Sequence, residues 1–139
     1  MLRWLTAAFV AICASVATAA EADLVAYKCS VRGSESLDII QPLVFIIRDT
    51  ASDRVVVSDA MILAFNDGQP VEGRLVVDNA SRTTFAWTVE VILQVSPVKL
   101  RYRGTYVKSS GHFSILAEPA GYANNFTRGG TCQVDTLSR

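Results

Sequence analysis

Thr83-Thr84-Phe85-Ala86-Trp87-Thr88-Val89-Glu90-Val91-Ile92-Leu93, followed by Val98-Lys99-Leu100-Arg101-Tyr102-Arg103-Gly104-Thr105-Tyr106, is the stretch that decides the fold. In the first half Phe85, Trp87, Val89, Val91 and Leu93 alternate with Thr84, Ala86, Thr88, Glu90 and Ile92. In the second half Val98, Leu100, Tyr102, Gly104 and Tyr106 alternate with Lys99, Arg101, Arg103 and Thr105. Side chains on a strand point to opposite faces in turn, so a period of two separates a core face from a wet one. The pattern predicts that Phe85, Trp87, Val89, Val91, Val98, Leu100 and Tyr102 are buried. It predicts that Thr84, Thr88, Glu90, Lys99, Arg101 and Arg103 are exposed. Ser96-Pro97 reads as the turn between the two strands, which brings Glu90 beside Arg103.

The same reading extends in both directions. Tyr27 to Val31, Leu43 to Ile47 behind Pro42, Val55 to Val57 and Val71 to Val77 are rich in β-branched residues and separated by short polar stretches. Met61 to Phe65 reads as a further strand, joined to Val71 to Val77 by an Asp-Gly hairpin at Asn66-Asp67-Gly68. Asp78 to Ser81 and Ser109 to Gly111 make later turns, and His112 to Glu118 follows the second. Glu118 through Gly130 reads as loop, and Thr131 to Leu137 as a last short strand. Ser36 to Gln41 has room for one helical turn before Pro42 stops it. The fold class is therefore all-β: a small antiparallel meander of about eight strands, closed into a barrel or a tight sandwich. The short meander connections favour the barrel.

Ahead of this domain lie Arg3, an apolar run from Trp4 to Val16, and small residues ending in Ala17-Thr18-Ala19-Ala20. That is the pattern of a cleavable secretory signal over residues 1–19, with a single domain over 20–139 and cleavage after Ala19, Ala20 or Ala22. The apolar run is short for a membrane span, so no stable span is expected after cleavage. Cys13 falls inside the leader, behind Ile12, and reads as apolar filler rather than a lipidation site. Cys29 and Cys132 are then the pair left in an oxidising compartment, one near each end of the domain, and they are expected to form a disulfide. Two cysteines and a distant His112 do not make a metal set. Acidic and basic residues balance over the whole chain, which argues against nucleic acid as a partner.

Candidate binding residues fall in three places. Lys99, Arg101 and Arg103 form an outward basic stripe suited to an acidic partner or an anionic lipid surface. Ser110 and Gly111 occupy one loop, and Tyr122 and Arg128 another, because loops on a rigid scaffold often carry recognition. Nothing marks a catalytic constellation: His112 has no nucleophile or carboxylate at recognisable spacing, and no nucleophile elbow, zinc-protease signature or phosphate loop is present. Gly129-Gly130 reads as a bulge or tight turn rather than an anion cradle. Asp49, Asp53, Asp59 and Asp67 read as turn-capping residues, since their spacing fits no calcium loop. Phe85, Trp87, Tyr102 and Tyr106 share the inner face, where they fill the interior of a small barrel.

The ends of the chain resemble periplasmic inhibitors of c-type lysozymes, which begin near a Tyr-x-Cys, as Tyr27-Lys28-Cys29 does, and carry a second cysteine near the C-terminus, as Cys132 does. The resemblance implies a small secreted barrel with inhibitory loops of the form Ser-Gly-x-x-Tyr and Tyr-x-x-x-Thr-Lys-Gly. This chain departs from both. Ser110-Gly111-His112-Phe113-Ser114 lacks the tyrosine, and the stretch from Tyr122 to Gly129 is one residue too long with Arg128 in place of lysine. The expectation is a secreted or periplasmic, non-catalytic binding protein without cofactor, whose partner is a protein or a small ligand. Lysozyme inhibition and hydrolysis by carboxylates are the alternatives.

Overall fold

The computed structural model describes residues 12–17 and 23–138. The expected cleavage positions, Ala19 to Ala22, lie outside the described residues. Residues 12–17, with Cys13 among them, form no helix or strand and are exposed. The domain consists of β1 (Asp23–Val31), β2 (Leu43–Asp49), β3 (Val55–Ser58), α1 (Ala60–Phe65), β4 (Val71–Asp78), β5 (Arg82–Leu93), β6 (Ser96–Val107), β7 (His112–Pro119) and β8 (Phe126–Ser138). Each strand pairs antiparallel with the next, and β8 returns to β1, so the eight strands close into a barrel. Closure removes the free strand edges that an open meander would expose. Cys29 and Cys132 are directly opposed across the β1/β8 seam and are joined by a disulfide.

The interior is filled. Tyr27, Phe85 and Tyr106 meet edge to face at centroid distances of 5.1 and 5.5 Å, and Trp87 stacks on Tyr102 at 5.4 Å. Gly104 is a glycine because the Phe113 ring occupies its face: a Cβ there would stand 2.8 Å from the ring. All seven residues predicted to be buried on β5 and β6 are buried. Thr88, Glu90, Lys99, Arg101 and Arg103 are exposed as expected.

The structure departs from the sequence reading at several places. Thr84 is buried at 3 % exposure rather than exposed; its hydroxyl pairs with that of Thr105 at 2.9 Å, which removes the cost of covering it. The β5/β6 turn is Gln94-Val95, with Gln94 at φ 60°, rather than Ser96-Pro97. The register therefore sets Glu90 against Lys99, and Arg103 against Ala86. Met61 to Phe65 belongs to α1, because the buried Asp59 carboxylate accepts the Ile62 N–H at 2.7 Å and caps a helix of Ala, Met, Ile and Leu. Asn66-Asp67-Gly68 ends that helix instead of turning a hairpin: the Asn66 and Gly68 amides donate to the Ile62 and Leu63 carbonyls, and Asp67 and Gly68 have positive φ. Finally, β8 starts at Phe126, so Gly129-Gly130 are strand residues and neither bulge nor turn. Gly130 lies so close to the Ser30 carbonyl of β1 that no Cβ fits.

The two ends of the barrel are closed differently. The lower end, where β1 begins and β8 finishes, carries a polar network: Arg48 bridges Asp53 at 2.7 Å and Asp78 at 2.8 Å, and Asp78 also takes Lys108 at 2.9 Å and the Thr83 hydroxyl at 3.1 Å. Asp53 sits in the left-handed turn between β2 and β3, and Asp49 accepts the Ala51 amide there, so these aspartates hold turns as expected. The upper end is closed by α1, which buries Ile62, and by the β1/β2 connection, which buries Ile40 and Gln41.

Candidate functional site

The β1/β2 connection is long yet tightly specified. The Gln41 side-chain amide donates to the Ser36 and Asp38 carbonyls at 3.2 and 2.6 Å, the Asp38 carboxylate accepts the Glu35 amide at 2.8 Å, and the Arg32 amide donates to the Gly129 carbonyl at 2.9 Å. From inside the barrel the Tyr102 hydroxyl donates to the Ile39 carbonyl at 2.7 Å. Burial, with the charge of nearby Asp59 as a smaller cause, pushes the Tyr102 phenol above its ordinary range, which favours the protonated, donating form. The core thus reaches up and fixes Ile39 from below.

Ile39 and Phe126 are the shared floor of a groove across the upper end. On one side lies a hollow of about 200 Å³ lined by Ser34, Leu37, Asp38, Ile40 and Arg128. On the other lies a hollow of about 120 Å³ lined by Leu93, Pro119, Tyr122 and Asn124. Tyr122 and Arg128, which the sequence places in one candidate loop, stand at opposite ends of this groove. Arg128 has no carboxylate within 4 Å among the described residues; its guanidinium donates to the neighbouring Thr127 carbonyl at 3.0 Å. The Ser34 hydroxyl beside it is buried with no hydrogen-bond partner. Around the groove Leu37 is 95 % exposed, Val95 93 % and Tyr122 60 %. Large apolar side chains are exposed elsewhere on the barrel too, at Phe45, Ile47, Ile92 and Leu137, but here they border a concave floor. Sequence reasoning missed Ser34, Leu37, Ile39, Leu93 and Val95; the apolar tip Leu93-Gln94-Val95, in a turn that has no need of it, was the readable signal.

The other candidates lie elsewhere. Ser110 and Gly111 are in the β6/β7 turn at the lower end, where the Gly111 carbonyl accepts the Cys132 amide, so they do not join Tyr122. The loop fragments of the lysozyme-inhibitor resemblance are divided accordingly, Ser110-Gly111 at one end and Tyr122 at the other. His112 is half-buried beside Gly129. Lys99, Arg101 and Arg103 run down the outside of β6: Lys99 opposes Glu90, Arg101 opposes Thr88 and Glu118, and Arg103 opposes Ala86 and Leu116. Arg74 of β4, which opposes Ala86 from the other side, joins them.

No group of three or more potential metal ligands occurs among the described residues, and no helix among them is long and apolar enough to cross a membrane. Comparison with protein-family models, with curated proteins and with solved structures finds no match for the chain.

Proposed function

We propose that this chain is an exported binding protein, non-catalytic, that holds a segment of a protein partner in the groove over Ile39 and Phe126. Residues 1–19 direct export and residues 20–139 form the mature domain, which works in the periplasm or outside the cell. The disulfide, which needs an oxidising compartment to persist, supports that placement. The observation that carries the reading is the arrangement of the upper end: an apolar floor, a rim of exposed Leu37, Val95 and Tyr122, and at one end a guanidinium without an acidic partner beside a buried, unpaired Ser34 hydroxyl. The rim favours a protein over a small ligand, because a molecule small enough to fit the hollows leaves Val95, which lines neither of them, in water. Arg128 and Ser34 together suit a carboxylate, to which a guanidinium donates two parallel hydrogen bonds.

The test uses two doubly blocked peptides, three leucines followed by aspartate and the same with asparagine. The aspartate peptide is expected to bind more tightly, by about tenfold. Arg128→Gln should abolish the preference while leaving the melting temperature within a few degrees. Equal affinity of the two peptides for the parent protein contradicts the proposal.

A further inference from the structure

Beyond the groove, we infer a second binding site, on the outer wall, built for a tetrahedral oxyanion of charge near minus two: a phosphate or a phosphate ester. It is a cleft of about 250 Å³ lined by Arg74, Ala86, Arg101, Tyr102, Arg103, Leu116 and Glu118, and it shares no residue with the groove at the upper end.

The register builds it. Arg74, Ala86, Arg103 and Leu116 lie in one row across β4, β5, β6 and β7, and Arg101 stands in the next row on the same face of β6. Strands are spaced by about 4.8 Å, so Arg74 and Arg103 flank Ala86 at a Cα separation of roughly 9 to 10 Å, which two arginine side chains leaning inward can span. Ala86 is what leaves that space. It points outward, yet it is 7 % exposed, because the longer side chains beside it overhang it. A larger residue there would fill the cleft.

The charges are uncommitted. Arg48 and Arg54 each hold a carboxylate at 2.7 to 2.8 Å, but Arg74, Arg101 and Arg103 have none within 4 Å among the described residues. Three guanidiniums facing Glu118 leave a net charge near plus two. A carboxylate neutralises half of that, whereas a phosphate monoester, carrying about −1.5 to −2 at neutral pH, matches it and offers three oxygens to three forked donors. Lys99 is outside the cleft and is opposed by Glu90, so the site is localised rather than a general cationic stripe.

The experiment is a titration of the isotopically labelled protein at constant ionic strength with inorganic phosphate and acetate, and with vesicles containing phosphatidic acid, followed by amide shifts. Saturable shifts at Ala86, Arg103 and Leu116 are expected with phosphate and not with acetate at the same concentration. Arg74→Gln and Arg103→Gln should each weaken binding by about tenfold, and Glu118→Gln should strengthen it severalfold. Lys99→Gln should leave it unchanged and serves as the folded control of equal charge loss. Saturation by inorganic phosphate assigns the site to the free ion, and saturation by vesicles alone assigns it to a phosphate-bearing headgroup; either upholds it. No saturation by either, or equal losses from Lys99→Gln and Arg103→Gln, overturns it.

Discussion

Single atoms decide several features of this barrel. At Gly104 the Phe113 ring takes the place of a side chain, and at Gly130 the Ser30 carbonyl does. The two obstacles differ in softness: a ring at the end of a side chain turns aside, whereas a carbonyl belongs to a paired strand. Gly104→Ala is therefore expected to cost about 1 to 3 kcal/mol, as overpacking does, and Gly130→Ala more, because relief requires the β1/β8 seam to part. Denaturant unfolding of the two variants checks the order; the reverse order would show that the seam yields more readily than the core. The same scale explains where the sequence was readable. Alternation along β5 and β6 was plain because inward and outward positions differ in chemistry at almost every step. Thr84 broke the pattern because a hydroxyl with a partner is as easily buried as exposed, and no spacing rule reveals Thr105 across the strand.

Among the elements, α1 and the β1/β2 connection were the least legible and matter most to the groove. Five apolar residues fit one strand or a turn and a half of helix equally well; the deciding interaction is the cap from Asp59, one carboxylate aimed at one amide. The β1/β2 connection takes its shape from Gln41 and from Tyr102, which lies sixty-three residues beyond the Ile39 it holds, so no local pattern announces it. Arg74 was invisible as a neighbour of Arg103 for a similar reason, since the register of β4 on β5 shifts between Leu75 and Val77. The seam was legible, because two cysteines near the two ends of the domain allow one pairing. It closes a loop with a sequence separation of 103, for which restriction of the unfolded chain amounts to about 4 to 5 kcal/mol. Replacing both cysteines with serine should lower the melting temperature by several degrees or more, and an unchanged value would mean that β1 and β8 hold together without it.

On the scale of the whole molecule, the lower end is tied by the ion pairs of Asp78 and the upper end by apolar contact together with hydrogen bonds from Gln41, Tyr102 and the Asp59 cap, and acid should distinguish them. The Lys108 ammonium and the Arg48 guanidinium hold the Asp78 carboxyl down to about 2. Because the folded value lies below the ordinary carboxylate range near 3.9, this contribution is complete above roughly pH 5 and is lost as the pH falls toward 2. The stability difference between the parent and Asp78→Asn should therefore shrink across that window. A difference that stays constant would remove Asp78 as the source. At the upper end burial raises the Asp59 carboxyl instead, so the folded form takes up that proton more readily than the unfolded chain and acid does not oppose folding there; the groove should keep its shape where the lower end begins to loosen. The most direct test of its role is an amide shift map of the protein titrated with the blocked leucine-aspartate peptide. Shifts that cluster at Ile39, Leu93, Tyr122, Phe126 and Arg128, and that weaken in Tyr102→Phe although Tyr102 faces the interior, are the predicted result. Shifts confined to the lower end, or spread evenly around the barrel, would contradict the assignment of the upper end as the binding surface.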